Sequence, residues 1–142
     1  MAALAVERVK TLEQINEKRR ENVKYLNDGL ERHSQVLQLP QYSNDVSYLA
    51  YPLVIEEGSR KLLREELEKK GIETRTLFGC VPFDQPSYSE LKETYKGRLP
   101  NAEYLGKRGF FVGCHQGIKR EQLDRMISAF DEILSKGLQY LL

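Results

Sequence analysis

Three side chains that could bind an anionic or hydroxyl-rich ligand stand beside the same long connection in the sequence. Arg75 lies in an alternating stretch just before it, Gln85 lies within it, and His115 closes the next apolar stretch. A guanidinium can donate two parallel hydrogen bonds to a carboxylate or phosphate, and a glutamine or histidine can donate to a sugar hydroxyl. We therefore treat these three residues as candidates for ligand binding.

Two of these candidates also have a purely structural interpretation. Arg75 could be a surface residue paired with a glutamate, as exposed arginines often are. His115 could be a partly buried histidine at the end of a strand. Both interpretations stay open at the level of the sequence.

The sequence contains no set of residues typical of catalysis or metal binding. It has two histidines, no GxSxG motif and no glycine-rich loop of the kind that holds phosphate. Cys80 and Cys114 are 34 positions apart without a CxxC partner, which fits neither a zinc site nor an iron–sulfur site. We expect free, inert, buried thiols, and we predict no catalytic residue and no metal ligand in this chain.

The size and charge of the chain narrow the function classes. Its 142 residues suffice for one compact domain, which we assign to residues 1–142, and 22 Lys plus Arg balance 21 Asp plus Glu. With so small a net charge, the chain as a whole has no positive electrostatic potential that would attract nucleic acid or an anionic membrane. The apolar residues 2–6 are too few for a signal segment, and no run is long enough to span a membrane, so we expect a cytoplasmic protein.

Hydrophobic periodicity and turn residues divide the chain into elements. Apolar residues from Val9 to Leu30 fall on one stripe and predict a long helix over residues 5–30, with Gly29 near its end. Ser59 and Gly71 suit the two ends of a second helix. The remaining predicted elements are strands at 47–56, 72–78 and 109–115, a helix at 120–136, and a long loop at 79–100 with one helical turn near 87–95.

This order predicts an α+β fold, in which helices pack on a small three-stranded sheet after a long N-terminal helix. The helix takes residues 1–30, and the α/β body takes residues 47–142. Pro52 suggests that its strand lies at an edge or carries a bulge. Whether neighbouring strands are parallel or antiparallel stays open.

Several stretches of the chain also resemble a known family. Four stretches carry the similarity: SYLAYPLVI, KKGIETRTLF, QPSY and NAEYLGKRGFFVGCHQGIKREQLDRMI. In order and in sequence they resemble the C-terminal part of the DegT/DnrJ/StrS group of sugar aminotransferases, which depend on pyridoxal phosphate (PLP). The nucleotide-sugar 3-dehydrases, which remove a sugar hydroxyl, form the most similar subgroup. The resemblance implies the small domain of the aspartate-aminotransferase fold, joined to a large domain through the first helix.

The resemblance also implies roles for particular positions. Arg75 resembles the family's arginine near the substrate, Gln85 and Pro86 resemble its QP turn beside the sugar nucleotide, and His115 resembles a position at the active-site mouth. The residues that hold the cofactor belong to the family's large domain. The resemblance therefore implies PLP for the full-length family, no cofactor bound by this chain alone, and no catalytic residue here.

Three positions depart from the family pattern, and three functional hypotheses stay open. Cys80 and Asp84 replace a usual asparagine and basic residue, and Gln116 replaces a usual proline. The first hypothesis is a free-standing or truncated small domain of a sugar aminotransferase or dehydrase, which is not catalytic alone and for which a nucleotide-sugar is a possible ligand. The second is a split enzyme, in which a large-domain PLP protein docks on the stripe from Val9 to Leu30. The third is a non-catalytic binding or assembly module that self-associates through its N-terminal helix.

Overall fold

The fold was determined as a computed structural model that describes residues 6–7, 9–77 and 85–136. Its architecture is α+β, as predicted, and the predicted helices and strands occur in the predicted order, with one further strand and one further helix among them. The elements are α1 (Leu12–Leu30), a 3₁₀ turn (Glu31–His33), β1 (Leu37–Gln38), β2 (Tyr51–Ile55), α2 (Arg60–Lys69), β3 (Thr74–Thr76), a 3₁₀ helix (Pro86–Leu91), α3 (Lys92–Tyr95), α4 (Pro100–Arg108), β4 (Gly109–Val112) and α5 (Arg120–Ser135).

The strands form one antiparallel sheet in the order β1–β2–β4–β3. Val112 of β4 pairs with Tyr51 on one side and with Thr74 on the other, so both neighbours run opposite to β4. The sheet has one strand more than the three predicted, because β1 pairs with the end of β2, Leu37 opposite Ile55. Two residues are too few to show an alternating pattern in the sequence.

Pro52 lies in the half of β2 that pairs with β4 alone, because β1 reaches only Val54 and Ile55. The predicted edge position is thus present locally, although β2 as a whole is an inner strand. A proline is tolerated there because one side of the strand has no ladder to interrupt.

A single cluster of buried apolar residues joins the sheet to α1 and α5. Alternate residues of β2, Tyr51, Leu53 and Ile55, belong to it. The two helices add Val23, Leu26, Leu30, Leu123, Ile127 and Phe130. Each large apolar side chain buried in this way contributes about 1.5–3 kcal/mol, so this cluster holds the helices on the sheet.

The apolar stripe predicted for the first helix divides into two parts. Val23 and Leu26 are fully buried against the body, whereas Val9 is 68% exposed and Leu12 is 50% exposed. The first turns of the helical segment therefore project beyond the core that the remaining turns help to form.

Gly29 marks the closest approach between α1 and α5. A Cβ atom at this position would lie 2.3 Å from Cδ1 of Ile127. The helix ends at Leu30, the predicted end one residue after Gly29, and the missing side chain of this glycine also permits close packing.

The ends of α2 are formed by the predicted residues. The Ser59 hydroxyl accepts a hydrogen bond from the Leu62 amide at 3.4 Å. Gly71 follows the helix with a φ of +78°, a conformation that glycine adopts at little cost. The chain can then turn at once into β3.

Helix α4 was missed by the sequence analysis, which ended its long loop at Pro100 and left residues 101–108 unassigned. Pro100 occupies the first turn of α4, where a missing amide hydrogen costs nothing. Arg108 donates hydrogen bonds to the carbonyls of Ile55 and Glu56, and the Tyr104 hydroxyl donates to the Glu56 carboxylate at 2.6 Å. These bonds tie α4 to the end of β2.

The described helices include no candidate for a membrane span, since none of them is both long enough and apolar enough to cross a bilayer.

Candidate functional site

The antiparallel pairing brings three loops together at one edge of the sheet. The end of β4 lies between the beginnings of β2 and β3, because Val112 pairs with Tyr51 and Thr74. The loops before β2, before β3 and after β4 therefore meet, and the first turns of α5 lie beside them. They enclose a cleft of about 430 Å³.

The cleft combines an apolar wall with charged and polar side chains. Its apolar residues include Leu49, Ile72, Phe111, Ile118 and Met126. Its polar and charged residues are Glu73, Arg75, His115, Gln122 and Arg125. Two guanidinium groups against one carboxylate leave a positive balance, which suits an anionic ligand that also has an apolar or ring surface.

Arg75 lines this cleft from β3 and is paired with a neighbouring glutamate. Its Nε and Nη2 atoms donate to Oε1 of Glu73 at 3.0 and 2.8 Å. The structural interpretation of Arg75 is thus correct, but it does not remove the binding interpretation. Both side chains are about seven-tenths exposed, and an exposed ion pair is weak, so an incoming phosphate can compete with Glu73 for the guanidinium.

His115 lines the cleft from the loop after β4 and is exposed, in contrast to the partly buried alternative. Its Nδ1 atom accepts a hydrogen bond from the Gly117 amide at 3.1 Å. In the neutral ring the proton therefore sits on Nε2. His115 thus has a defined tautomer with a donor suited to a ligand hydroxyl or carbonyl.

Gln85 and Pro86 lie at the start of the 3₁₀ helix within the long connection, and both are exposed. Neither is among the residues that line the cleft. The cleft thus contains two of the four predicted binding residues, Arg75 and His115. Cys80 and Asp84, two of the three departures from the family pattern, lie outside the described residues.

Arg125 and Gln122 belong to the cleft, but the sequence analysis did not select them. The Arg125 guanidinium donates to the Lys70 carbonyl at 2.7 Å, which holds it beside the loop before β3. Gln122, Arg125 and Met126 are spaced three and four positions apart, so they share one face of α5. This spacing, in the first turns of a helix that follows the His115 loop, could have indicated from the sequence that these side chains belong to the cleft.

Cys114 is buried next to His115 but is chemically quiet. Burial raises the pKa of its thiol to about 11, so it stays protonated near neutral pH. Its Sγ atom points to the Tyr48 carbonyl at 3.9 Å. The prediction of a free, buried cysteine is confirmed for Cys114.

Two polar residues of α1 also reach the loops that form the cleft. Asn22, which is only 2% exposed, donates to the carbonyls of Cys114 and His115 at 3.3 and 3.0 Å. Arg19 donates to the Tyr48 carbonyl at 3.0 Å and to the side chain of Gln116 at 3.3 Å. In the sequence, Arg19 only interrupted an apolar stripe, and no local pattern revealed its partners.

The cleft does not fit PLP on its own. Enzymes of this cofactor usually hold it through a lysine amine and place a charged partner at the pyridine nitrogen. No lysine is found among the described residues that line the cleft. Nor do residues 6–7, 9–77 and 85–136 contain a cluster of three or more His, Cys, Asp or Glu side chains that could hold a metal ion.

Comparison with known proteins identifies the family. The pattern of the DegT/DnrJ/EryC1/StrS aminotransferase family matches residues 1–131. This chain belongs to that family. The family resemblance seen in the sequence is thereby confirmed.

Individual relatives of this chain are considerably longer proteins. The chain is 30% identical to the lipopolysaccharide biosynthesis protein RfbH of Salmonella typhimurium, over 98% of this chain and 32% of RfbH. It is 32% identical to the GDP-4-keto-6-deoxy-D-mannose 3-dehydratase of Escherichia coli O55:H7, over 92% of this chain and 32% of that protein. The chain thus spans about a third of the length of the relatives that it matches.

Solved structures agree with this assignment. The E. coli GDP-4-keto-6-deoxy-D-mannose-3-dehydratase with bound hydrated PLP superimposes with a TM-score of 0.72 at 28% identity, over 89% of this chain and 33% of the dehydratase. DesV of S. venezuelae superimposes with a TM-score of 0.80 at 26% identity, over 93% of this chain and 35% of DesV. In both, the family fold extends well beyond the part that this chain matches.

Proposed function

We propose that this chain forms one wall of the substrate site in a PLP-dependent nucleotide-sugar enzyme of the 3-dehydrase type and is inactive by itself. The observation that carries the proposal is the cleft in which Arg75 and His115 meet at one edge of the sheet. The named activities of the relatives, which act on GDP- and dTDP-linked sugars, support the choice of ligand.

The side chains of the cleft suggest how such a ligand is held. Arg75 exchanges the Glu73 carboxylate for a ligand phosphate, to which the guanidinium can donate two parallel charge-assisted hydrogen bonds. The Nε2 hydrogen of His115 is donated to a sugar oxygen. Phe111 and Met126 pack against the face of a ring. Gln85 and Pro86 contribute from the neighbouring connection, as their family positions suggest.

The chemistry would come from a second component. When bound in this family, PLP supplies the electron sink for reactions of the sugar. Because this chain matches only about a third of the dehydratase that binds hydrated PLP, we propose that a large domain provides the cofactor site and that the helix at residues 1–30 contacts this domain. Residues 47–142 then form the α/β body, and the assembled protein works in the cytoplasm.

Calorimetric titration with GDP-mannose and dTDP-glucose tests ligand binding by the chain. We expect heat with at least one of them and a loss of affinity of about tenfold or more for Arg75→Gln, since a hydrogen bond to a charged group is lost. Arg32→Gln is the matched control, because Arg32 is also an exposed arginine paired with a carboxylate but does not line the cleft. Absence of heat from the unmodified chain with both ligands contradicts the proposal.

A borohydride test addresses the cofactor. We expect no stable reduced adduct after the purified chain is mixed with PLP and borohydride, because the described residues that line the cleft include no lysine. A stoichiometric adduct would show that the chain holds the cofactor by itself. Recovery of the native chain from its own cells as a stable monomer, with no PLP protein attached, contradicts the need for a second component.

The assembly hypothesis is favoured by one observation. Val6, Val9 and Leu12 are 60%, 68% and 50% exposed and stand three positions apart in the sequence, just before and at the start of α1. Such a stripe can drive self-association. If this is the function, sedimentation shows an oligomer that Val9→Lys dissociates, and neither nucleotide-sugar produces heat. A monomer at all concentrations contradicts it.

A further inference from the structure

Arg19 and Asn22 lie one turn apart on α1, and both turn polar groups toward the body of the protein. Asn22 is 2% exposed, and Arg19 is half-buried. A buried amide costs free energy unless its hydrogens find acceptors. The two side chains satisfy this need with groups from distant parts of the chain, about 30 and 90 positions away.

The acceptors of these two residues belong to two different walls of the cleft. Asn22 holds the carbonyls of Cys114 and His115 in the loop after β4. Arg19 holds the carbonyls of Tyr48 and Leu49, at 3.0 and 3.4 Å, in the loop before β2. Its Nε atom also donates to Gln116, at 3.3 Å, so Arg19 connects one wall to the other.

The strands do not fix these segments. β2 begins at Tyr51 and β4 ends at Val112, so the bound carbonyls lie beyond the sheet ladder. A polar loop outside a ladder samples more than one conformation unless side chains hold it. The positions of Leu49 and His115, both of which line the cleft, therefore depend on α1.

We propose that Arg19 and Asn22 are positioning residues that fix both walls of the cleft, so that the long helix sets the geometry of the ligand site. The consequence for ligand affinity rests on the proposed function, whereas the effect on the loops does not. Gln116, the residue that replaces the family's usual proline, takes part as an acceptor for Arg19. A hydrogen bond between side chains thus holds this loop at the position where the family resemblance implies the rigid ring of a proline.

The first test measures amide hydrogen exchange in Asn22→Leu, which keeps the side-chain volume and removes both donors. We expect exchange at Gly117 and Ile118 to rise about tenfold, because their hydrogen bonds to His115 depend on a fixed loop. Asn27→Leu is the control. Asn27 lies on the same helix, donates to the Pro40 carbonyl at 2.9 Å and accepts from the Tyr51 hydroxyl at 2.8 Å, and none of these residues lines the cleft.

A role confined to general stability predicts that both variants speed exchange equally at Gly117 and Ile118. That result, or no change in Asn22→Leu, overturns the proposal. If Asn22→Leu does not fold, Arg19→Gln provides the same test at the amides of residues 49 and 50. Its control is Arg20→Gln, because the Arg20 side chain is also largely buried, at 17% exposure, but pairs with Glu13 of the same helix at 2.5 Å and not with a residue of the cleft.

Titration with GDP-mannose, or with dTDP-glucose if only that ligand gives heat, separates this proposal from the proposed function. We expect Asn22→Leu to weaken binding about tenfold and Asn27→Leu to leave it within twofold. Faster loop exchange without any binding by the unmodified chain supports the positioning role and contradicts the proposed function. Unchanged exchange in a chain that does bind supports the function and contradicts the positioning role.

Discussion

The body of the protein and the arm formed by residues 85–99 differ in the exposure of their apolar side chains. In the body, Tyr51, Phe110 and Phe130 are completely buried. In the arm, Tyr88, Leu91 and Leu99 are 46%, 38% and 41% exposed, and every residue of the arm is exposed. The body therefore supplies its own stability, whereas the arm presents apolar surface that the described part of the chain leaves uncovered.

The largest effect should come from the body. Phe130→Ala removes a fully buried ring and should lower the free energy of unfolding by about 3–5 kcal/mol in urea titrations. Leu91→Ala in the arm should change it by less than about 0.5 kcal/mol, because Leu91 is exposed. Equal losses from both substitutions would show that the arm is part of the cooperative core.

A smaller loss should follow from crowding the contact between α1 and α5. Gly29→Ala places a methyl group 2.3 Å from Cδ1 of Ile127 and should cost about 1–3 kcal/mol, although alanine favours helix. Adding Ile127→Val should recover part of the loss, which thermal denaturation can measure. A Gly29→Ala protein more stable than the original would show that the helices can separate here without cost.

The buried thiol of the body should make stability depend on alkaline pH. The pKa of Cys114 is raised from 9.0 to about 11 in the folded protein, so the folded state holds this proton more tightly than the unfolded state does. The resulting stability is complete below pH 9 and is lost as the pH rises toward 11. Comparing urea midpoints of the original protein and Cys114→Ala across this range should show a shallower decline in the variant. Parallel declines would contradict the assignment.

The smallest effect on stability should come from the exposed ion pair of the cleft. Glu73→Gln should alter the free energy of unfolding by less than about 0.5 kcal/mol, since exposed pairs contribute little. It releases Arg75, so affinity for GDP-mannose should increase a few-fold in calorimetry. If the affinity is unchanged and the free energy of unfolding falls by more than about 1 kcal/mol, the Arg75–Glu73 pair has a structural role.

Much of the fold could be predicted because local signals agreed with the final structure. Ser59 and Gly71 framed α2 correctly, and the apolar spacing of Leu123, Ile127 and Phe130 identified α5. The pairing directions were not available from the sequence, because they depend on contacts such as Tyr51 with Val112 between distant segments. Helix α4 was missed because its nine residues include a glycine and bury none of their side chains.

The candidate site was predicted in part for the same reason. Arg75 and His115 stand next to strand ends, and such residues often meet where loops converge. Arg125 was missed because its place in an amphipathic helix resembles that of any solvated cation. Arg19 and Asn22 were missed because they act through hydrogen bonds to carbonyls that lie about 30 and 90 positions away in the sequence.

The strand order has a consequence for how the protein acquires its shape. β2 must pair with β4, and α1 must pack on α5, so the first half of the chain finds its main partners only in residues 109–135. Contacts of such long sequence separation slow folding, because large loops must close before any stabilisation is gained. During synthesis, the apolar faces of α1 and β2 therefore stay exposed, and accessible to chaperones, until α5 has left the ribosome.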